Sequence, residues 1–148
     1  MAEQRNVKEL IDRYLNASFI VNKRFSTGLR EHLKDDLTVE QYTALQIVGR
    51  RGKCTPTELA DVFCVGKSTI TSLINRLVQR GLMERTGDEK DRRVIYLSIT
   101  PEGRKVFQVA DEQIERILEP YLSHFDEAEI QQFLTSFEKL AQLMQDIE

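Results

Sequence analysis

The sequence predicts a mainly α-helical chain carrying one small β-hairpin, with a compact middle and an apolar-striped helix towards each end. Three observations predict it. Apolar residues recur at three- and four-residue steps through most of the 148 positions. Helix-start signals, mostly built on threonine, stand before several of those stretches. One run, Val94-Ile95-Tyr96-Leu97-Ser98-Ile99, alternates instead as a strand does. Hydrophobic residues at 41%, charged residues at 30%, and only 7 Gly and 3 Pro exclude collagen-like, low-complexity and disordered classes.

From Val7 to Leu33 the apolar residues Val7, Leu10, Ile11, Tyr14, Leu15, Phe19, Phe25, Leu29 and Leu33 mark a long amphipathic helix with Gly28 as its weak point. Its stripe is longer than a small domain needs, so a partner chain is the simplest cover for part of it. In Leu37-Thr38-Val39-Glu40-Gln41-Tyr42, Thr38 and Gln41 fit a reciprocal capping box, and the helix they open should stop at Gly52. Thr55-Pro56-Thr57-Glu58 repeats the signal with proline at the first helical position. That short helix should end near Phe63, and the turn Cys64-Val65-Gly66 leads into a helix from Lys67 to Arg80 closed by Gly81. Two helices joined by so tight a turn form a helix-turn-helix.

The Lys67–Arg80 helix is the most informative segment. Ile70, Leu73, Ile74 and Leu77 define a buried face, which leaves Lys67, Ser68, Thr69, Thr71, Ser72, Asn75 and Arg76 outward. Short hydroxyls let a helix approach a groove closely, and the longer donors reach base edges or phosphates. A solvated helix face more often carries Glu and Lys, because Ser, Thr and Asn are poorer helix formers. Thr55 and Thr57, at the start of the preceding helix, are candidates for the DNA backbone.

Leu82–Arg85 and Val94–Ile99 read as two strands around a polar tip, Thr86–Arg93. The tip carries Lys90, Arg92 and Arg93, and arginine suits a narrow minor groove, so the hairpin reads as a wing. Asp91 would repel DNA directly and makes better sense holding Arg93 in place. Thr100-Pro101-Glu102 opens a further helix, with a kink or break expected at Pro120. Asp126 caps the last helix, whose stripe of Ile130, Phe133, Leu134, Phe137, Leu140, Ala141, Met144 and Ile147 is expected to be buried. The expected organisation is an N-terminal dimerisation helix (1–36), a winged helix-turn-helix DNA-binding lobe (37–100) and C-terminal dimerisation helices (101–148).

Charge follows that division. Residues 1–65 carry 10 basic and 9 acidic side chains, residues 66–105 carry 9 and 5, and residues 106–148 carry 2 and 10. The net charge of -3 therefore hides a basic middle beside an acidic end, the asymmetry of a chain that meets an anionic polymer with one part only. Ser/His/Asp arrangements, His-x-x-Glu-His and Gly-rich phosphate loops are missing from the sequence, so binding is favoured over catalysis and no cofactor is expected. His32 and His124 stand far from each other and from any Cys-x-x-Cys, and no metal site is read. No stretch approaches the roughly 20 apolar residues of a bilayer span, and the polar start MAEQRNVKEL is unlike a signal peptide, which predicts a cytoplasmic protein with no membrane partner.

Taken together, Leu37-Thr38-Val39-Glu40-Gln41-Tyr42, Thr55-Pro56-Thr57-Glu58-Leu59-Ala60, Lys67-Ser68-Thr69-Ile70-Thr71, Leu77-Val78-Gln79-Arg80-Gly81-Leu82, Asp91-Arg92-Arg93 and Leu97-Ser98-Ile99-Thr100-Pro101-Glu102-Gly103 resemble the MarR family of bacterial regulators, in order and spacing, over roughly 37–105. The resemblance implies a homodimer on a pseudo-palindromic operator of double-stranded DNA, with recognition helices roughly 10 base pairs apart. It implies that Arg93 enters the minor groove, that Asp91 orients it, and that Arg92 meets phosphate. It also implies a small aromatic or phenolic effector between the dimerisation helices and the lobe, and a repressor that such a ligand releases. Some relatives sense oxidants through a cysteine in the first helix, which has none here. Cys54 and Cys64 bracket the short helix about 13 Å apart along its axis, beyond disulfide reach. Cys64, between Phe63 and Val65, reads as a small packing residue. Two alternatives stand beside the ligand-released repressor: a thiol-based redox sensor using Cys54 or Cys64, and a winged-helix module that binds a protein partner.

Overall fold

The computed structural model describes residues 6–32 and 37–147; Leu33, the last apolar position expected of the first helix, lies outside them. Among the described residues, α1 (Val7–His32), α2 (Val39–Arg51), α3 (Pro56–Phe63), α4 (Lys67–Gln79), β1 (Met83–Gly87), β2 (Ile95–Ile99), α5 (Pro101–Leu122) and α6 (Glu127–Gln145) follow in order.

The helix starts are built as the sequence dictates. The Thr38 hydroxyl accepts the Gln41 N–H at 3.1 Å while Gln41 Oε1 accepts the Thr38 N–H at 3.3 Å. Thr55 accepts the Glu58 N–H at 3.1 Å, with Pro56 at the first helical position. Asp126 accepts the Glu129 N–H at 2.8 Å. Thr100 accepts the Gly103 N–H at 2.9 Å and donates to the Gly81 carbonyl at 2.6 Å, which fastens the start of α5 to the turn after α4.

Helices α3 and α4 end by one device. Cys64 (φ 55) and Gly81 (φ 73) take left-handed backbone. Their N–H groups reach Asp61 and Val78, while those of Val65 and Leu82 reach Ala60 and Leu77, so the last carbonyls are satisfied. Gly81 adopts this backbone freely, whereas the Cβ of Cys64 makes it cost about 1 kcal/mol.

The core sits between α2, α3, α4 and the hairpin. Leu45, Leu59, Ile70, Ile74, Leu77 and Leu97 are each at most 1% exposed, and burying each contributes about 1.5–3 kcal/mol. Leu29 of α1 and Ala110 and Ile114 of α5 close the same core, so the flanking helices are rooted in the lobe. Tyr42 reinforces this joint: its ring stacks on Phe107 at 5.1 Å, and its hydroxyl donates to Asp111 Oδ1 at 2.6 Å. Burial and that carboxylate together push the Tyr42 hydroxyl pKa well up.

The hairpin is antiparallel, with Met83 opposite Ile99 and Gly87 opposite Ile95. Pairing extends through Gly87 and begins only at Met83 and Ile95, so Leu82 and Val94 fall outside the strands and the tip shortens to 88–94. Cys54 adds a single rung on the other edge of β2: its N–H donates to the Leu97 carbonyl at 3.2 Å and its carbonyl accepts the Leu97 N–H at 2.7 Å.

Two expectations about the C-terminal helices need correction. Helix α5 runs through Pro120 without the expected break and ends two residues later, so the proline, which leaves the Arg116 carbonyl without its helical N–H, falls in the turn where the helix stops. The stripe of α6 is not buried within the chain. Ile130 is half-buried, while Phe133 (62% exposed), Leu134, Phe137, Leu140, Met144 and Ile147 are open. The periodicity is there, but none of the described residues covers it. The Val7–Val21 stripe of α1 is likewise open, with Phe19 at 71%.

Candidate nucleic-acid interface

Burial of Ile70, Ile74 and Leu77, with Leu73 half-buried, turns one face of α4 into the core. Lys67, Ser68, Thr69, Thr71, Ser72, Asn75 and Arg76 are all exposed, as the periodicity requires. They form two rows. Thr69, Ser72 and Arg76 line a groove of about 310 Å³ together with Thr38, Phe63 and Val65. Ser68, Thr71 and Asn75 run on the other side of the helix and end beside the hairpin, where Asn75 Oδ1 accepts a hydrogen bond from Arg85 Nη2. Helix α4 carries no acidic residue, and Gly66 gives it no side-chain cap, so its first-turn N–H groups point outward as phosphate donors do. Thr57 is exposed and Thr55 half-buried with its hydroxyl oxygen used as the α3 cap; neither lines the α4 groove.

Lys90, Arg92 and Arg93 are exposed at the wing tip. Asp91 holds Arg93 by the backbone: its Oδ1 accepts the Arg93 N–H at 3.0 Å. The organiser of the tip is a residue that sequence reasoning missed, Asp88. Its Oδ1 accepts the N–H groups of Lys90 at 2.8 Å and Asp91 at 3.4 Å, and its Oδ2 accepts the Tyr96 hydroxyl at 3.1 Å. The Lys90 N–H and the Tyr96 hydroxyl hold the Asp88 carboxyl below the usual carboxylate range, and the same bond raises the Tyr96 hydroxyl. Tyr96 also carries Lys53 Nζ over its ring at 5.4 Å, which ties the α2–α3 loop to the tip end of the wing. An aspartate two residues before Lys90 in a polar tip is the signature of an Asx turn, and that signal was available in the sequence.

The packing role expected of Cys64 is not found there. Cys54 is the packed one, 1% exposed, and its burial, with Glu58 nearby, pushes the thiol pKa up, which disfavours the reactive thiolate. Cys64 is exposed at the α3–α4 turn, because the left-handed backbone there turns its side chain out of the core.

Comparison with known proteins places this geometry. The model of the MarR family matches residues 37–95, which hold both helix-turn-helix helices, β1 and the tip. The HTH-type transcriptional repressor MdtR of Bacillus subtilis (strain 168) is 36% identical over 109 residues, which cover 74% of this chain and 70% of that protein. The fold is similar to that of the transcriptional regulator BldR from Sulfolobus solfataricus, with a TM-score of 0.79 at 24% identity over 96% of this chain and 99% of that one. It is also similar to a mutant MarR from E. coli complexed with operator DNA, with a TM-score of 0.74 at 23% identity over 94% of this chain and 99% of that one. The chain belongs to the MarR family of winged-helix transcriptional regulators.

Proposed function

We propose that two copies of this chain form a cytoplasmic repressor that grips a pseudo-palindromic operator with both α4 helices and both wings. The observation that carries the reading is α4 itself: every residue assigned to its outer face is exposed, and not one is acidic. Lys67, Ser68, Thr69, Thr71, Ser72, Asn75 and Arg76 meet the major groove, Lys90, Arg92 and Arg93 meet the minor groove and phosphates, and Thr57 supplies a backbone contact. The operator complex of the E. coli relative and the repressor name of the B. subtilis relative support this use of the fold.

Surface area supports the dimer. The chain exposes 11,993 Å², whereas a compact 17.2 kDa monomer exposes about 7,800 Å². The excess of about 4,200 Å² on each chain is more than the roughly 1,000–2,500 Å² that each partner gives to an obligate interface. An apolar groove of about 340 Å³ between α1 and α5, lined by Ile20, Val21, Phe25, Ile117, Leu118 and Tyr121, continues the open stripes and suits a helix of the second copy. An effector would sit between α2 and α5, where Arg50, Arg104, Phe107 and Asp111 line a groove of about 240 Å³ that offers a small aromatic ligand a ring, two cations and a carboxylate. Such a ligand releases DNA only by preferring the geometry that DNA does not.

Fluorescence anisotropy on an operator duplex tests the roles. Arg93→Ala is expected to weaken binding roughly tenfold or more. Lys67→Ala is expected to weaken all sequences alike and lower the salt slope by about 1, whereas exchanging Thr71 or Ser72 is expected to change which operator is preferred. Binding that ignores Arg93→Ala and Lys67→Ala would transfer the basic surface to a protein partner.

A further inference from the structure

Arg85 and Asn75 meet between β1 and α4, and the strand register explains why. Arg85 pairs with Leu97, and side chains opposite each other in an antiparallel pair share a face. Leu97 is fully buried and so is Met83, two residues before Arg85, so this is the hairpin face that packs on the lobe. Arg85 stands where that face runs out of core, and its guanidinium turns to the end of the Ser68–Thr71–Asn75 row.

The chemistry of the pair is one-sided. A guanidinium offers only donors, so the Asn75 amide must meet it with Oδ1, and Nδ2 is left as the free end. Asparagine reads adenine with both ends at once, Nδ2 giving to N7 and Oδ1 taking from the N6 amino group, whereas guanine presents two acceptors, N7 and O6. We propose that Arg85 sets the base preference of Asn75: by holding Oδ1 against β1 it makes Asn75 a donor that selects guanine over adenine. The proposal rests on α4 reading DNA bases. Arg85 is then a positioning residue, which acts on sequence choice through Asn75.

Selection of binding sites from a randomised duplex library, with the full chain and three variants, tests it. Asn75→Ala flattens the motif column that residue 75 reads and so identifies it. In that column the wild type is expected to hold a G·C pair, Arg85→Met to shift the ratio roughly tenfold towards A·T with the other columns kept, and Arg85→Lys, which retains a donor, to follow the wild type. An A·T preference already present in the wild type overturns the proposal, and so does a column that Arg85→Met leaves unchanged. Uniform weakening of every column, with a salt slope lower by about 1, also overturns it, because Arg85 would then be a phosphate contact. In those three cases a motif still emerges and the reading of α4 stands. A wild-type chain that enriches no motif removes that reading, and the proposal with it.

Discussion

Replacing Gly103 by alanine is expected to lower stability by about 3 kcal/mol, at the upper end of what overpacking costs. A Cβ there would lie 1.9 Å from the Leu82 carbonyl oxygen and 2.8 Å from its carbon, and both are backbone atoms that no rotamer change can move. The same carbonyl accepts the Thr100 N–H at 3.1 Å, and the Gly103 N–H is itself the one that Thr100 caps. Relief would therefore pull the start of α5 off the turn between α4 and β1 and loosen the seat of the wing. Gly28→Ala is the matched control, since its Cβ meets only the Ile117 side chain at 3.6 Å, an ordinary contact. A helix-interior glycine replaced without strain is expected to raise stability by up to about 1 kcal/mol. Urea unfolding of both variants checks the pair. An unchanged midpoint for Gly103→Ala would refute the close approach of α5 to that turn.

The second large effect lies in α6. Phe133 and Phe137 stack at 5.5 Å on an open face. Changing both to aspartate removes nothing from the core of the chain itself, yet it places two carboxylates in the proposed interface. Each phenylalanine buried between subunits is worth about 1.5–3 kcal/mol, and because a dimer loses four of them the lost burial alone, about 6–12 kcal/mol, raises the dimer dissociation constant by more than about ten-thousandfold. Sedimentation is expected to show a monomer, circular dichroism an unchanged helix content, and DNA titration a loss of tight binding, because one recognition helix alone cannot span two half-sites. A variant that still sediments as a dimer would remove α6 from the interface.

What could be read from the sequence was local. The starts at Thr38, Thr55, Thr100 and Asp126 and the left-handed stop at Gly81 depend on a few neighbouring residues, and each is found where the sequence places it. The buried face of α4, and with it the exposed face, follows from periodicity. Contacts between segments distant in sequence were not legible. The Cys54–Leu97 rung involves a single residue on one side and so leaves no alternation to detect. Arg85 reaches Asn75 only through a strand register that composition does not reveal. Cys54 stands between polar Lys53 and Thr55 and Cys64 between apolar Phe63 and Val65, so their neighbours point the wrong way, and what decides their burial is a rung on one side and a left-handed turn on the other. The α6 stripe shows the same limit: periodicity says that a face is apolar but not what covers it.

The central claim is that two copies of the chain hold one operator with α4 and the wing. Its most direct test is a stoichiometric titration of a labelled duplex from upstream of the chain's own gene, set against a scrambled duplex, at two salt concentrations. The account predicts two chains per duplex, tighter binding to the native sequence, and affinity that falls steeply with salt. Equal and weak binding to both duplexes, with one chain per site, would contradict it.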